Sequence, residues 1–169
     1  VSKVISKLIK IDKATKSPIE VYDMACGSGS LLLKAGAEAN ENVKVYLYGQ
    51  EKITNTAGLC VMNMFLHGNA TAQIRDGNTL TNPRFLDGKN IRTFDYCIAN
   101  PPFSQKKWTK DLKKEKEYGR FTGFGMPPEN CADYAFLLHM LKSMNPINGR
   151  GAIILPHGVL FRGGQEEII

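Results

Sequence analysis

The fold of this chain is decided by the stretch Phe94-Asp95-Tyr96-Cys97-Ile98-Ala99-Asn100-Pro101-Pro102-Phe103. Phe94 to Ala99 is apolar except for Asp95 and has the length of a buried strand. The two prolines that follow remove two backbone donors and restrict two φ angles, so neither a strand nor a helix can continue. The sequence therefore predicts a core strand that ends in a rigid corner.

The corner itself, Asn100 to Phe103, brings two hydrogen-bond acceptors close to an aromatic ring. The side-chain carbonyl of Asn100 and the main-chain carbonyl of Pro101 can accept both hydrogens of one exocyclic amino group. This arrangement pulls the nitrogen lone pair out of conjugation, so that the nitrogen can attack an electrophilic methyl group. The ring of Phe103 can lie flat against a planar ligand. Taken alone, a plain turn after a core strand also explains these residues.

A strand, a glycine loop and a helix follow one another nearer the N-terminus. Residues 19–24 alternate apolar and polar side chains, Ala25-Cys26-Gly27-Ser28-Gly29-Ser30 comes next, and residues 31–39 are helical in pattern. This is typical of the first turn of a doubly wound α/β sheet, in which ligands lie outside the carboxyl ends of the strands. Glycines let the backbone approach a ligand, and a helix N-terminus offers free N–H groups to a carboxylate. A generic nucleotide fold or a tight turn remains an alternative.

Polar residues also follow the next two predicted strands, residues 43–49 and 71–75. Glu51 lies about twenty residues after the glycine loop, where a carboxylate can accept both hydroxyls of a ribose. Alternatively, Glu51 only complements the dipole of the helix predicted over residues 52–66. Asp76 and Asn78 are both candidates to contact the adenine edge of a bound nucleoside.

The remaining segments complete the predicted sheet. Residues 1–11 have the spacing of an amphipathic helix, residues 130–144 are an apolar helix, and residues 150–156 are a fifth strand. His157 and Arg162 follow this strand at the same predicted edge of the sheet. They are candidates to support the site or to contact the substrate.

Composition is typical of one globular domain, residues 1–169, with a hydrophobic content of 43%. No apolar run approaches the length of a membrane span and no signal-peptide block is present, so we expect a soluble cytoplasmic protein without membrane contact. The cysteines are scattered without a Cys-x-x-Cys pair, which predicts reduced thiols and no metal site. The missing initiator Met and the half-formed helical pattern at the end of the chain suggest a fragment.

The net charge of +6 is unevenly distributed. Residues 105–120 contain three acidic and seven basic residues, which are Lys106, Lys107, Lys110, Lys113, Lys114, Lys116 and Arg120. The aromatic residues Trp108, Tyr118, Phe121 and Phe124 are interleaved with or follow them. A mobile basic loop directly after the corner favours a polyanionic substrate. A solvated loop that only keeps the protein soluble is the alternative.

Two motifs carry a resemblance to a known family. Asp23-Met24-Ala25-Cys26-Gly27-Ser28-Gly29 resembles the S-adenosylmethionine motif Asp-Pro-Ala-Cys-Gly-Ser-Gly of amino-methylating DNA methyltransferases. Asn100 to Phe103 resembles their catalytic motif, and the order of the two motifs is that of the gamma class of N6-adenine enzymes. Residues 62–68, 133–136 and 156–164 further resemble the modification subunit of type I restriction-modification systems.

The resemblance implies a Rossmann-like methyltransferase fold and methyl transfer from S-adenosylmethionine to the N6 amino group of a flipped-out adenine in double-stranded DNA. It implies a specificity subunit and a restriction subunit as partners. The implied catalytic residues are Asn100, Pro101, Pro102 and Phe103. The implied cofactor-binding residues are Asp23, Ala25, Cys26, Gly27, Ser28, Gly29 and Glu51, with Asn78 rather than Asp76 at the adenine.

Two departures from the family pattern stand out. Met24 replaces the usual proline, and Asn78 replaces the usual aspartate of a Gly-Asp-Thr-Leu segment, which puts the affinity for the cofactor in doubt. Two other functions remain open. One is methylation of a protein glutamine amide or an RNA guanine amine, which uses a similar corner but is disfavoured by Phe103. The other is a non-catalytic scaffold that helps a partner read DNA, which is disfavoured by Asn100 and Glu51.

Overall fold

The computed structural model describes residues 2–113 and 117–169. Lys114 and Lys116 of the basic window lie outside the described residues, as does Val1 at the start of the first predicted helix. The helices are α1 (Ser2–Leu8), α2 (Ser30–Glu38), α3 (Thr54–Leu66) and α4 (Asp133–Ser143). The strands are β1 (Ile19–Asp23), β2 (Val45–Glu51), β3 (Gln73–Asp76), β4 (Leu86–Asp87), β5 (Asn90–Ile91), β6 (Tyr96–Ala99) and β7 (Arg150–Ile153). Short 3-10 turns cover Ile11–Lys13, His157–Phe161 and Gly164–Glu166.

Five strands form one parallel sheet in the order β3-β2-β1-β6-β7. The chain builds outward from β1 in one direction through β2 and β3, and then crosses to β6 and β7 on the other side. The neighbouring strands β1 and β6 therefore form a topological switch point, where the crevice outside the carboxyl ends is open to a ligand. The predicted doubly wound, mostly parallel sheet is confirmed.

Both faces of the sheet are covered, as parallel sheets require. Val21 of β1 and Ile98 of β6 belong to an apolar cluster that includes residues of α1, α2 and α3. Their neighbours Tyr22 and Cys97 point to the opposite face and join a cluster with residues of α4. All four residues of β6 are buried, because this strand lies between two others and under both layers.

The structure differs from the predicted elements at several ends. The first helix ends at Leu8, and β6 begins at Tyr96 because Phe94 forms only an isolated bridge with Met144. The hairpin of β4 and β5 was not predicted. Its sequence signal is an Asp-Gly turn, in which Gly88 has a φ of 58°. Within the described ranges, we find no helix with the length and apolar character needed to cross a bilayer.

Candidate active site

A cavity of about 620 Å³ opens at the carboxyl ends of the strands, at the switch point. Residues after each of four strands line it together with Phe136 of α4. They are Met24, Ala25 and Gly27 after β1, Glu51, Lys52 and Ile53 at the end of β2, Asn78 and Thr79 after β3, and Asn100, Pro101, Pro102, Phe103 and Gln105 after β6. A second cavity of about 250 Å³ shares Ala25, Gly27 and Asn100 with the first and extends to Asp23, Cys26, Ser28 and Ser30.

The glycine loop depends on backbone conformations that favour glycine. Gly27 and Gly29 have φ angles of 54° and 84°, in the left-handed region. A Cβ atom on Gly29 would lie 2.4 Å from Cε of Met64 and 2.6 Å from Sγ of Cys60. The loop therefore packs directly against α3, and only glycine allows this approach.

Asp23 supports the glycine loop from below. Its side chain is buried, and Oδ1 accepts a hydrogen bond from the Ala25 N–H at 2.9 Å. The pKa of Asp23 is raised to about 7, mainly by burial; the Ala25 hydrogen bond opposes this rise and the charge of Glu51 adds to it. Cys26 is also buried, with its Sγ atom 3.9 Å from Sγ of Cys60. Both side chains shape the loop, and both lie on the side of the smaller cavity.

Glu51 joins the glycine loop to the start of α3. Its Oε2 atom accepts the Gly27 N–H at 3.0 Å, and its Oε1 atom accepts the Ile53 N–H at 2.9 Å. A carboxylate offers about four acceptor positions, so each oxygen keeps a lone pair for a further donor. The held carboxylate on the cavity wall fits the ribose-binding role predicted for Glu51.

The two candidates for the adenine edge are separated by the structure. Asn78 lines the larger cavity, and its Oδ1 atom accepts the Leu80 N–H at 3.0 Å, which leaves one lone pair of this oxygen for a ligand. Asp76 is exposed at the end of β3, where it accepts a hydrogen bond from Thr54 Oγ1 at 3.3 Å, and it does not line the cavity.

Sequence reasoning missed two residues that hold the loop carrying Asn78. Gln50 is fully buried; its Nε2 group donates to the carbonyls of Gly77 and Asn82 at 3.0 Å each, and its Oε1 atom accepts the Arg84 N–H at 2.9 Å. Thr79 donates from Oγ1 to the Met24 carbonyl at 2.6 Å. The available signal for Gln50 was an amide side chain at the end of an apolar strand, directly before Glu51.

The corner after β6 presents its four residues to the larger cavity. Pro101 is buried, whereas the Phe103 side chain is 50% exposed. Across residues 2–113 and 117–169, the side-chain amide of Asn100 makes no hydrogen bond, so its oxygen is available to a ligand. Asn100 also lines the smaller cavity and therefore lies where the two cavities meet.

The sequence model of the family described as N-6 DNA Methylase matches residues 1–169, which is the whole chain. The chain belongs to the N-6 DNA methylase family.

Three relatives refine the position of this N-6 DNA methylase chain. The methylase subunit of the type I restriction enzyme MjaVII from Methanocaldococcus jannaschii is 36% identical over 100% of the chain, which spans 29% of that subunit. The MpnII methylase subunit from Mycoplasma pneumoniae is 38% identical over 89% of the chain and 29% of its own length. The solved structure of a type I restriction-modification methyltransferase subunit from Streptococcus thermophilus has a TM-score of 0.83 and 36% identity, over 99% of the chain and 36% of that structure. The resemblance to type I modification subunits is confirmed.

The basic window of this N-6 DNA methylase chain divides into outward and inward side chains. Lys106, Lys107 and Lys110 are exposed directly after Gln105, a residue of the cavity wall. Trp108 is only 1% exposed, and its ring packs edge-on against the buried Phe121 with 5.8 Å between centroids. The prediction that the interleaved aromatics belong to a mobile loop is wrong for these two, because they anchor the window in the core.

Arg120 also differs from its predicted place on a basic surface. It is 2% exposed, and it donates to the carbonyls of Leu80 at 2.7 Å and Glu117 at 2.9 Å. Its Nη1 group lies 3.3 Å from Nδ1 of the buried His139. Because arginine only donates hydrogen bonds, this nitrogen of His139 is the acceptor. Arg120 therefore ties the window to the loop after β3 and is not a surface charge.

The two candidates after β7 have different surroundings. The exposed His157 packs beside Phe161, with 5.1 Å between ring centroids. Arg162 forms ion pairs with the buried Asp133 at 2.8 Å and with Glu166 at 3.1 Å. Neither residue lines the larger cavity.

Proposed function

We propose that this chain is the cofactor-binding and catalytic part of a subunit that methylates the N6 amino group of adenine in DNA. The observation that carries the proposal is the lining of one cavity. Glu51 and Asn78, which suit a nucleoside cofactor, share it with the corner Asn100 to Phe103, which suits an exocyclic amine. Residues 1–169 are then part of a single catalytic domain, and the chain spans 29% of the length of the MjaVII and MpnII methylase subunits.

The proposed cofactor is S-adenosylmethionine, which supplies an electrophilic methyl group on a positively charged sulfur. Glu51 accepts hydrogen bonds from the ribose hydroxyls, and the Asn78 amide oxygen accepts one from the adenine amino group. Ala25, Gly27 and Ser28 line the smaller cavity together with Ser30, where the amino-acid end lies at the N-terminus of α2. Asp23, Cys26 and Gly29 contribute by holding this loop in shape.

Asn100 and Phe103 have separate tasks toward the target base. The base is flipped out of the duplex, because its amino group is otherwise engaged in base pairing. The carbonyls of Asn100 and Pro101 accept the two amino hydrogens, Phe103 stacks on the ring, and Pro102 keeps the corner rigid. Catalysis consists mainly of aligning the nitrogen with the methyl group, and one proton leaves the nitrogen after transfer.

DNA and protein partners complete the proposal. The exposed Lys106, Lys107 and Lys110 follow the cavity residue Gln105 in the chain and can contact DNA phosphates. The names of the relatives support a type I restriction-modification system, in which a specificity subunit selects the DNA sequence and a restriction subunit cleaves unmodified DNA. We also propose a cytoplasmic location, where chromosomal DNA lies.

Product analysis tests this function against its alternatives. The full-length subunit, in its complete assembly, is incubated with methyl-labelled S-adenosylmethionine and with duplex DNA, RNA or glutamine-containing protein. We expect label only in N6-methyladenine from DNA, and none in DNA already methylated at N6. Label in guanine of RNA or in glutamine would favour the other amine or amide substrates. No label in any substrate would favour a scaffold.

A further inference from the structure

Asp133, the first residue of α4, has no side-chain surface exposed to solvent. Its Oδ1 atom accepts the Ser104 N–H at 2.8 Å. Its Oδ2 atom accepts hydrogen bonds from Nη2 of Arg162 at 2.8 Å and from Sγ of Cys131 at 3.3 Å. Three hydrogen-bond donors fix the orientation of this buried carboxylate. The carboxylate in turn restrains the three groups that donate to it.

Ser104 directly follows Phe103 and has an unusual backbone conformation. Its φ angle is 51°, in the left-handed region that residues with a side chain seldom adopt. Lys107, three residues later, has a φ angle of 53°. Such conformations cost free energy and persist only where the surroundings impose them.

The segment before α4 supplies these surroundings. The Ala132 N–H donates to the Gln105 carbonyl at 3.1 Å, and the Lys107 N–H donates to the Glu129 carbonyl at 2.8 Å. Together with the Asp133 contact, three hydrogen bonds connect residues 104–107 to residues 129–133. The Asp133 contact is the one nearest to Phe103 along the chain.

Arg162 neutralises the buried charge of Asp133. A buried carboxylate without a partner is strongly destabilising, and Arg162 provides a cation that is itself paired with Glu166 at 3.1 Å. Arg162, in the segment after β7, therefore contacts Asp133, and Asp133 in turn contacts Ser104 next to the corner after β6. Arg162 can thus support the site through Asp133, although it does not line the larger cavity.

We propose that Asp133 is a positioning residue for Phe103. By holding the Ser104 N–H, it fixes the turn that aims the Phe103 ring at the cavity, with Arg162 as its counter-charge. The inference rests on the proposed function, because the ring's task is to stack on the target adenine.

Two substitutions separate the Ser104 contact from the ion pair. Asp133→Asn and Asp133→Leu both remove the charge that faces Arg162, but only Asp133→Asn keeps an acceptor for the Ser104 N–H. In the complete assembly, we expect Asp133→Leu to lower kcat/KM for duplex DNA by about 10- to 100-fold, the scale of a misplaced reacting group. Asp133→Asn should lower kcat/KM much less than Asp133→Leu does. Both variants should bind the cofactor with an affinity within about twofold of that of the unmodified protein. Equal losses for the two variants would overturn the role of Ser104.

Tyr134→Phe is the matched control in the same turn of α4. It removes one hydrogen bond, from the Tyr134 hydroxyl to the Val159 carbonyl at 2.9 Å, without touching Ser104. We expect turnover close to that of the unmodified protein. If Tyr134→Phe lost as much activity as Asp133→Leu, the effect would be general loosening of α4, and the positioning role would be wrong.

A double-mutant cycle with Phe103→Ala gives a readout that a purely structural role does not move. If Asp133 acts through the Phe103 ring, Asp133→Leu should add little loss in kcat/KM once the ring is gone. Full additivity of the two losses would contradict the inference. The unmodified assembly must form N6-methyladenine in the same assay, and failure of that reaction would count against the proposed function instead.

A further measurement needs no substitution, which matters if Asp133→Leu does not fold. Ser104 is exposed, yet its N–H is bonded to a buried carboxylate. We expect hydrogen exchange at this amide to be slowed by about 100-fold or more relative to an unstructured peptide. Exchange at the unstructured rate would show that Asp133 does not hold Ser104.

Discussion

Among single residues, Glu51 and Asp23 show how position changes the work of a carboxylate. Glu51 lies on the cavity wall, where its two oxygens accept backbone N–H groups from Gly27 and Ile53. Asp23 is buried under the glycine loop, and its pKa is raised to about 7 by burial. The first carboxylate faces the proposed ligand, whereas the second supports the loop that contacts it.

Glu51→Gln should weaken the binding of S-adenosylmethionine by about 10- to 100-fold, since a hydrogen bond to a charged group contributes about 1.5 to 3 kcal/mol. The amide also turns one acceptor into a donor, which faces the N–H of Gly27 or Ile53. Calorimetric titration of the full-length subunit measures the change. Asp76→Asn is the control, because Asp76 does not line the cavity. This variant should bind S-adenosylmethionine with unchanged affinity. Equal losses in both variants would reject the assignment of Glu51.

Asp23→Asn should change how stability depends on pH. The unfolded chain loses the Asp23 proton near the ordinary pKa of 3.8, whereas the folded protein keeps it to about pH 7. The stabilising contribution of Asp23 to the free energy of unfolding is therefore fully present below about pH 4. It is lost as the pH rises to about 7, with a slope of up to about 1.4 kcal/mol per pH unit. Asparagine cannot ionise, and its oxygen can still accept the Ala25 N–H.

Urea unfolding of both proteins at several pH values tests this difference. The buried His139, whose pKa is lowered by burial, titrates equally in both proteins and cancels. Relative to Asp23→Asn, the unmodified protein should lose stability between about pH 4 and pH 7. Parallel stability curves would show that Asp23 is not held in a raised-pKa environment.

At the scale of elements, the loops at the carboxyl ends of the strands are joined to one another. Thr79 binds the Met24 carbonyl, Arg120 binds the Leu80 carbonyl, and Gln50 binds three backbone groups between residues 77 and 84. These contacts hold the loop that carries Asn78 against the glycine loop. The cavity wall is thus built from side chains of neighbouring elements.

Gln50→Leu should lower the free energy of unfolding by about 2 to 4 kcal/mol, because it leaves the Gly77 and Asn82 carbonyls and the Arg84 N–H without this partner. Cofactor affinity should fall as well, since Asn78 lies in the released loop. Gln73→Leu, at an exposed position of β3, is the control and should leave both quantities nearly unchanged. Chemical denaturation and calorimetric titration are the measurements. If Gln50→Leu bound the cofactor with normal affinity, the hydrogen bonds of Gln50 would not be needed for the cofactor site.

The sequence predicted the elements whose signals are local. The apolar run of β6, the glycine loop and the corner Asn100 to Phe103 were identified because strand length, glycine and proline act on their own neighbours. The positions of Glu51 and Asn78 on the cavity wall could be predicted because parallel strands end at one edge of the sheet. Asp76 satisfied the same pattern, and only its position beside Thr54 separates it from the cavity.

Features that depend on distant partners were not predicted. Arg120 was assigned to a basic surface, because its charge is visible in the sequence, whereas the Leu80 carbonyl to which it donates lies in the loop after β3. The buried clamp of Gln50 and the contact between Asp133 and Ser104 likewise join residues far apart in the chain. The short hairpin of β4 and β5 lacks the alternating pattern of longer strands.

For the whole molecule, the exposed Lys106 and Lys110 follow the cavity residue Gln105 closely in the chain, where they are candidates for phosphate contacts. Lys106→Ala combined with Lys110→Ala should weaken DNA binding of the complete assembly. The slope of log affinity against log salt should become flatter by about 0.9 for each lost phosphate contact. Fluorescence titration at several salt concentrations measures the slope.

Lys13→Ala combined with Lys44→Ala is the matched control. These lysines precede β1 and β2 and therefore lie at the amino ends of the strands, away from the cavity. The control should leave the slope unchanged. An unchanged slope for Lys106 and Lys110 as well would mean that they form a solvated surface without DNA contact.

In the proposed reaction, one cavity aligns an adenine amino group with the methyl group of the cofactor. The decisive measurement is methyl transfer to duplex DNA by Asn100→Ala and Phe103→Ala in the complete assembly, with cofactor binding measured in parallel. Asn100→Ala should lower kcat by about 10²- to 10³-fold with normal cofactor affinity, because a preorganised acceptor at the reacting group is lost. Phe103→Ala should mainly raise KM for DNA, because it removes a base-stacking contact that contributes about 1 to 3 kcal/mol to binding. Phe103→Trp keeps an aromatic ring and should retain substantial activity. Near-normal turnover of Asn100→Ala would show that Asn100 does not hold the adenine amino group and would favour a scaffold role for this chain.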